Sequence, residues 1–208
     1  MRRTSIAVVS IMLSIALLFV AGTASAAMKG GEGDNSVNAG FAALPGLFDT
    51  EASVFYVEYE RKMSDKLTIF GRFGLLDYDF DDGAYKESGD GPGLDAGVRF
   101  YPMSGAMKDL YIGGSAGLWW TEWDYTDVSW IGTQWFMGSG ETTALKAEFE
   151  VGYRFLIPNT PIAVNPNFRT GTFFSLDDSC STLYGLPCSK ESEIGIYAVF
   201  GVSAGFQF

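Results

Sequence analysis

Along most of this chain apolar and polar residues alternate with a period of two, the spacing of a strand whose two faces meet unlike surroundings. Eight such segments are predicted, near 36–44, 52–62, 67–78, 93–102, 109–123, 142–156, 162–175 and 193–208. The connectors between them alternate in length. Those at 63–66, 103–108 and 157–161 are short, whereas 77–91, 126–140 and 176–192 are long. The first far-side connector, 45–50, is the one exception, being short. Eight antiparallel strands running up and down place every short turn at one end.

The alternation also assigns faces. In the last segment Ile194, Ile196, Ala198, Phe200, Val202, Ala204, Phe206 and Phe208 share one side. In the sixth, Leu145, Ala147, Phe149, Val151, Tyr153 and Phe155 lie opposite Lys146, Glu148, Glu150, Gly152 and Arg154. Eight apolar, ring-bearing faces exceed what the interior of so small a barrel can hold. The apolar faces are therefore expected to point outward, to lipid. Tyr59, Phe100, Phe155, Phe206 and Phe208 would form an aromatic girdle at the short-turn end. Trp119, Trp120 and Trp123 would mark the opposite edge, with Trp130 and Trp135 following in the loop.

The first residues have a different pattern. Arg2 and Arg3 precede an apolar run from Ile6 to Val20, and Ala24-Ser25-Ala26 forms an A-x-A box. This is the three-part layout of a secretory signal peptide, cut after residue 26; the run of about 15 apolar residues is short of the ~20 needed for a spanning helix. A small, polar, flexible lead-in at 27–35 and a barrel domain over 36–208 complete the expected organisation. The fold class is all-β: an eight-stranded antiparallel up-and-down transmembrane β-barrel preceded by a cleavable signal peptide. Loss of Arg2 and Arg3 leaves 12 basic against 25 acidic residues, a net charge of −13. Such acidity argues against nucleic acid as a partner. The 26 glycines and the 17 Phe, 10 Tyr and 5 Trp suit a barrel built of short alternating segments.

The ending GVSAGFQF, with Phe208, Phe206, Ala204, Val202 and Phe200 at every second position, resembles the C-terminal assembly signal of outer-membrane proteins. With the leader and the strand pattern, the chain resembles the small bacterial outer-membrane barrels of the OmpA, OmpX and opacity types. The likeness rests on architecture over 36–208, with no enzymatic motif. It implies residence in the outer membrane, contact with its lipid and lipopolysaccharide, and recognition by the barrel-assembly machinery during insertion. The OmpW-like group, with an apolar interior for hydrophobic molecules, is a poorer match to the charged interior expected here.

That interior carries Glu58, Glu60, Arg72, Asp95, Arg99, Lys146, Glu148, Glu150, Arg154 and Arg169, with Asn165 and Asn167. Five acids face five bases. An eight-stranded barrel has room for side chains but not for an aqueous channel, and enclosed charges persist only when paired. The expectation is a salt-bridged core that plugs the lumen; an ion-conducting pore or proton relay is the functional alternative.

Catalytic constellations are constrained by the absence of histidine. The serine–histidine lipid A deacylases and palmitoyltransferases and the Asp–His omptins of the same architecture cannot be built, and no enzyme activity is expected. Glu58 and Glu60 could suggest paired carboxylates, but arginines surround them on this reading. In the run from Asp77 to Gly83, Asp79, Asp81 and Asp82 look superficially like an EF-hand start. The glycine is one place late and Ser88 stands where the closing Glu belongs. A solvated acidic hairpin tip is the plainer reading beside a weak Ca²⁺ or Mg²⁺ site, so no metal or cofactor is expected. Cys180 and Cys188 lie in one long loop of an exported chain and are read as a disulfide. The function expected is structural or surface-interacting, carried by the outer loops, with a narrow solute conduit as the alternative. The sequence identifies no surface ligand.

Overall fold

The computed structural model describes residues 33–44, 50–81, 83, 85–103, 105, 107–128, 135–182 and 195–208. The expected leader, most of the lead-in and Asp82, Trp130 and Cys188 lie outside them, as do the side chains of Trp135 and Cys180. Eight strands form one closed antiparallel ring: β1 (Asn35–Leu44), β2 (Thr50–Lys62), β3 (Leu67–Asp81), β4 (Tyr85–Phe100), β5 (Asp109–Val128), β6 (Trp135–Leu156), β7 (Ile162–Thr182) and β8 (Gly195–Gln207). Closure comes from β1 pairing with β8, from Ser36 opposite Gln207 to Ala43 opposite Phe200. Asn35 and Phe208 exchange backbone hydrogen bonds of 2.9 and 2.8 Å and seal the seam at its end.

The faces follow the alternation. Lumenal positions are buried or half-buried, while Phe149 is 49 % exposed, Phe200 63 % and Ile196 82 %. Large apolar side chains on the outside of a closed ring, with charges inside, are the inverse of a water-soluble protein and match a barrel whose solvent is hydrocarbon. Glycine makes room for rings inside: a Cβ on Gly93 would overlap the Trp119 indole, and one on Gly152 the Tyr111 ring. These close approaches let bulky side chains fill a narrow cylinder.

The strands run farther at the long-connector end than the sequence pattern suggests. The stretch 77–91 is mostly strand, with 82–84 between β3 and β4, and β5, β6 and β7 likewise extend into the expected loops. The cause is an inversion of polarity. On β3, Asp77, Asp79 and Asp81 face outward and exposed, while Tyr78 and Phe80 turn inward. On β5, Glu122 and Asp124 point outward around an inward, buried Trp123. The period of two continues past the bilayer edge, but outside is now water and the apolar side chains move inward.

One rung marks that edge. Asp77 pairs with Asp90, Asp90 with Glu122, and Glu122 with Glu141 across four neighbouring strands. The rung just inside it carries Leu75, Pro92 and Trp120. A β6–β7 register shift between Thr143 and Ala144 falls at the same level, where a bulge sharpens local twist. Like charges directly opposite one another destabilise a sheet. Glu122→Gln, which relieves two such pairs, is expected to raise barrel stability by about 0.2–1 kcal/mol. Urea titration should show the gain at low ionic strength and its loss in high salt; a gain independent of salt would refute the charge explanation.

Candidate lumenal charge network

Strands β2, β3, β4 and β6 send their inward charges to one level of the lumen. Arg72 on β3 donates Nε and Nη2 to Glu58 Oε2 at 3.1 and 2.8 Å, on the neighbouring strand. It also reaches across the barrel to β6, donating Nη1 to Glu148 at 2.7 Å and Nη2 to Glu150 at 2.9 Å. Arg99 on β4 does the same from the next strand. Its Nη1 donates to Glu58 at 2.6 Å and Glu60 at 2.8 Å, its Nη2 to Glu58 at 2.7 Å, and its Nε to Glu150. Two guanidinium forks thus tie four carboxylates of two strands into one lattice, using the planar multi-donor geometry that lysine lacks.

The lattice continues at both ends. Towards the short turns Glu60 accepts from Arg154 Nη2, from the Thr68 hydroxyl at 2.5 Å and from the Tyr101 hydroxyl at 2.8 Å. Arg154 Nε donates to Asn165 Oδ1 at 2.8 Å, and Asn165 Nδ2 passes the chain to Asn38 and Ser203. Towards the other end Lys146 donates to Asp95 at 2.5 Å and Glu148 at 3.3 Å. The Trp119 indole N–H donates to Asp95 at 2.9 Å, and the Tyr197 hydroxyl to Glu148 at 2.7 Å.

Arg169 is the exception. Its Nη1 is 4.0 Å from Glu148, and its Nε and Nη2 have no hydrogen-bond partner. The guanidinium lies 4.5 Å from the centre of the Tyr56 ring instead. All ten charges expected inside are buried there; nine are joined by hydrogen-bonded ion pairs, and Arg169 is held by stacking.

Sequence reasoning missed the rings that insulate this lattice. Arg72 sits over Tyr56 and Phe70, Arg99 over Phe70 and Tyr111, and Lys146 over Trp119, at 4.3–5.0 Å from ring centroid to cation. Cation–π contacts gain strength when both partners are dry. The signal was present, since Phe70 shares a face with Arg72 and Tyr56 with Glu58. The expected tryptophan girdle needs correction for the same reason. Trp119 and Trp123 are buried inside, whereas Trp120 is exposed on the outer face. At the short-turn end Tyr59, Phe100 and Phe155 do project outward, with Phe206 and Phe208 half-buried.

The acidic β3–β4 tip has its own arrangement. Asp81 accepts from the Lys86 ammonium at 2.5 Å and from the Gly83 N–H at 2.9 Å. The bond from Lys86 and then that from Gly83 hold its carboxyl below the usual range. Asp79 points outward opposite Ser88. Among the described residues no group of three or more acidic, Cys or His side chains is placed to hold a metal ion.

No protein-family model matches this sequence, and neither does any curated protein. Solved structures do match in shape. Ail, the attachment invasion locus protein of Yersinia pestis, aligns over 86 % of this chain and 100 % of its own at 13 % identity and a TM-score of 0.51. The translocator domain of the autotransporter NalP from Neisseria meningitidis aligns over 99 % of this chain and 98 % of its own, also at 13 % identity, with a TM-score of 0.50. The fold is that of a bacterial outer-membrane β-barrel. In such a barrel the short turns 63–66, 101–108 and 157–161 face the periplasm and the acidic rung lies at the outer surface. Phe200, Val202, Ala204 and Phe206 then run down the outward face of the closing strand, β8, and Phe208 follows one residue past its end.

Proposed function

We propose that the chain is an integral outer-membrane barrel whose lumen is plugged by the charge lattice and whose work is structural or at the cell surface. The observation that carries this reading is the span of Arg72, bonded at once to Glu58 on β2 and to Glu148 and Glu150 on β6. A conducting path would have to separate these pairs, each broken pair leaving a dry, uncompensated charge. Five acids against five bases give the plug no net charge with which to draw ions through.

On this reading the role is non-catalytic, and function lies with the outer ends of the strands and their connectors. Membrane lipid and lipopolysaccharide surround the barrel, and the assembly machinery reads the apolar face of β8 during insertion. A Cys180–Cys188 bridge would tighten the β7–β8 connector. Ail, an attachment invasion locus protein, has a similar fold; at 13 % identity that supports the architecture and not a partner.

Bilayer recording of the refolded full chain tests the plug. The wild type is expected to give no steady single-channel current, and Arg72→Ala, which unties both walls, to give intermittent openings. Steady wild-type currents abolished by Glu148→Ala or Arg154→Ala would overturn the plug and establish the pore.

A further inference from the structure

One cation near the short turns stands outside the lattice, on the other side of the wall. Arg61 follows Glu60 on β2 and therefore faces outward, where it is exposed. Its neighbours across the sheet are Asn35 on β1 and Ile69 on β3. Tyr59 precedes it on the same face and Met63 follows just past the strand, both exposed. The Tyr59 hydroxyl donates to Asn35 at 2.7 Å, which marks a polar level on this part of the wall. Among the described residues the Arg61 guanidinium has no hydrogen-bond or ion-pair partner. An unpaired cation on a wall that faces hydrocarbon is costly unless its head reaches the interface and an anion there.

The relief of the outer wall leads away from this point. The rung that starts at Tyr59 runs through Gly71, Ala96, Ala116 and Ala147 on β3, β4, β5 and β6. All four are exposed, and a Cβ added at Gly71 would meet no other atom within 4 Å. The rung above carries Phe73, Leu94, Leu118 and Leu145, and the rung below Ile69 and Val98. Small side chains between two large rows leave a trough in the bilayer-facing surface. Because the short turns mark one edge, the trough climbs as it crosses, from near the start of β3 to the middle of β6. With strands about 4.8 Å apart it runs roughly 14 Å from Gly71 to Ala147, on the order of the ~15 Å of one leaflet.

The geometry points to a site for one anionic phospholipid of the periplasmic leaflet, its phosphodiester on Arg61 and one acyl chain along the trough. Cation and trough lie on the same face of the wall, and the guanidinium fork matches two phosphate oxygens at once. A free anion would leave the trough unused. A zwitterionic lipid would bring its own ammonium up to the unpaired guanidinium. Nearby Lys62 pairs with Asp34 and Asp65, and Lys66 donates to the Pro102 carbonyl, so neither competes for the headgroup. The inference rests on the outer-membrane reading above, which places the short turns in the periplasm.

Native mass spectrometry of the refolded full chain, released from nanodiscs holding equal phosphatidylglycerol and phosphatidylcholine, tests it. One phosphatidylglycerol per barrel is expected to be retained about fivefold over phosphatidylcholine, the advantage one interfacial cation gains on anionic lipid. Arg61→Gln should abolish that preference. Ala96→Phe, which fills the trough and leaves the charge unchanged, should lower retention as well. Lys66→Gln, on the β2–β3 turn at the same end, should preserve both. Equal retention of the two lipids, an equal loss in Lys66→Gln, full retention in Ala96→Phe, or displacement by inorganic phosphate would each overturn the lipid site. Heat-modifiable gel migration of the same samples reports barrel formation separately, so a missing lipid is distinguished from a missing membrane fold.

Discussion

Arg99→Met should lower the stability of the refolded barrel by about 3–5 kcal/mol, the range for removing one partner of a buried ion pair. Methionine keeps much of the length of the side chain, so the loss is of charge and hydrogen bonds more than of volume. Arg99 serves Glu58, Glu60 and Glu150 together. Its removal leaves five enclosed acids against four bases, and the remaining cations are already committed to other partners. Arg169→Met is the internal control. Glu148 keeps Lys146 and Arg72 in that variant, so the main loss is the stack on Tyr56, about 0.5–2 kcal/mol. Urea midpoints of the two variants under identical lipid conditions compare them directly. If both fall by the same amount, the lattice is not what holds the lumen closed, and burial alone sets the cost.

The same contrast shows what the linear pattern could convey. Parity along each strand was enough to place Glu58, Arg72, Arg99 and Glu150 on one inner surface, because a pleated strand admits only two sides. Parity also separates Trp119 from Trp120, since adjacent residues must face opposite ways; treating both as girdle residues ignored that rule. The upper halves of β3 to β6 were harder to see because the meaning of the alternation changes at the rim. Asp77-Tyr78-Asp79-Phe80-Asp81 is as regular a strand as any below it, but its acids face water and its rings face the lumen. Read with a single assignment of apolar to outside, such a segment looks like a loop. The isolation of Arg169 had no signal along the chain at all. It depends on which carboxylates the opposite wall delivers to its level, and thus on the register of β6 against β7 and on the reach of Arg72 across the lumen.

Phe149→Arg is expected to cost about 2–4 kcal/mol, the penalty for a cation on the lipid face near the bilayer midplane. Phe149 sits midway along the outward apolar series of β6, between Leu145 and Phe155, with Gly114 and Thr170 beside it on the flanking strands. Phe149→Ala provides the baseline, since it removes the ring without adding charge. Glu141→Arg, on the same strand and outer face but in the acidic rung, should cost nothing and relieve repulsion with Glu122. The expected result is therefore a depth profile along one strand, steep at position 149 and vanishing at 141, read from unfolding titrations in lipid vesicles. A barrel with its exterior in water would respond in the opposite sense. Arginine would then replace an exposed ring at little cost, within about 0.5 kcal/mol of wild type, and would improve solubility. A flat profile of that kind would remove the physical ground for placing this surface in a membrane, because the outward position of Phe149 would no longer imply hydrocarbon around it.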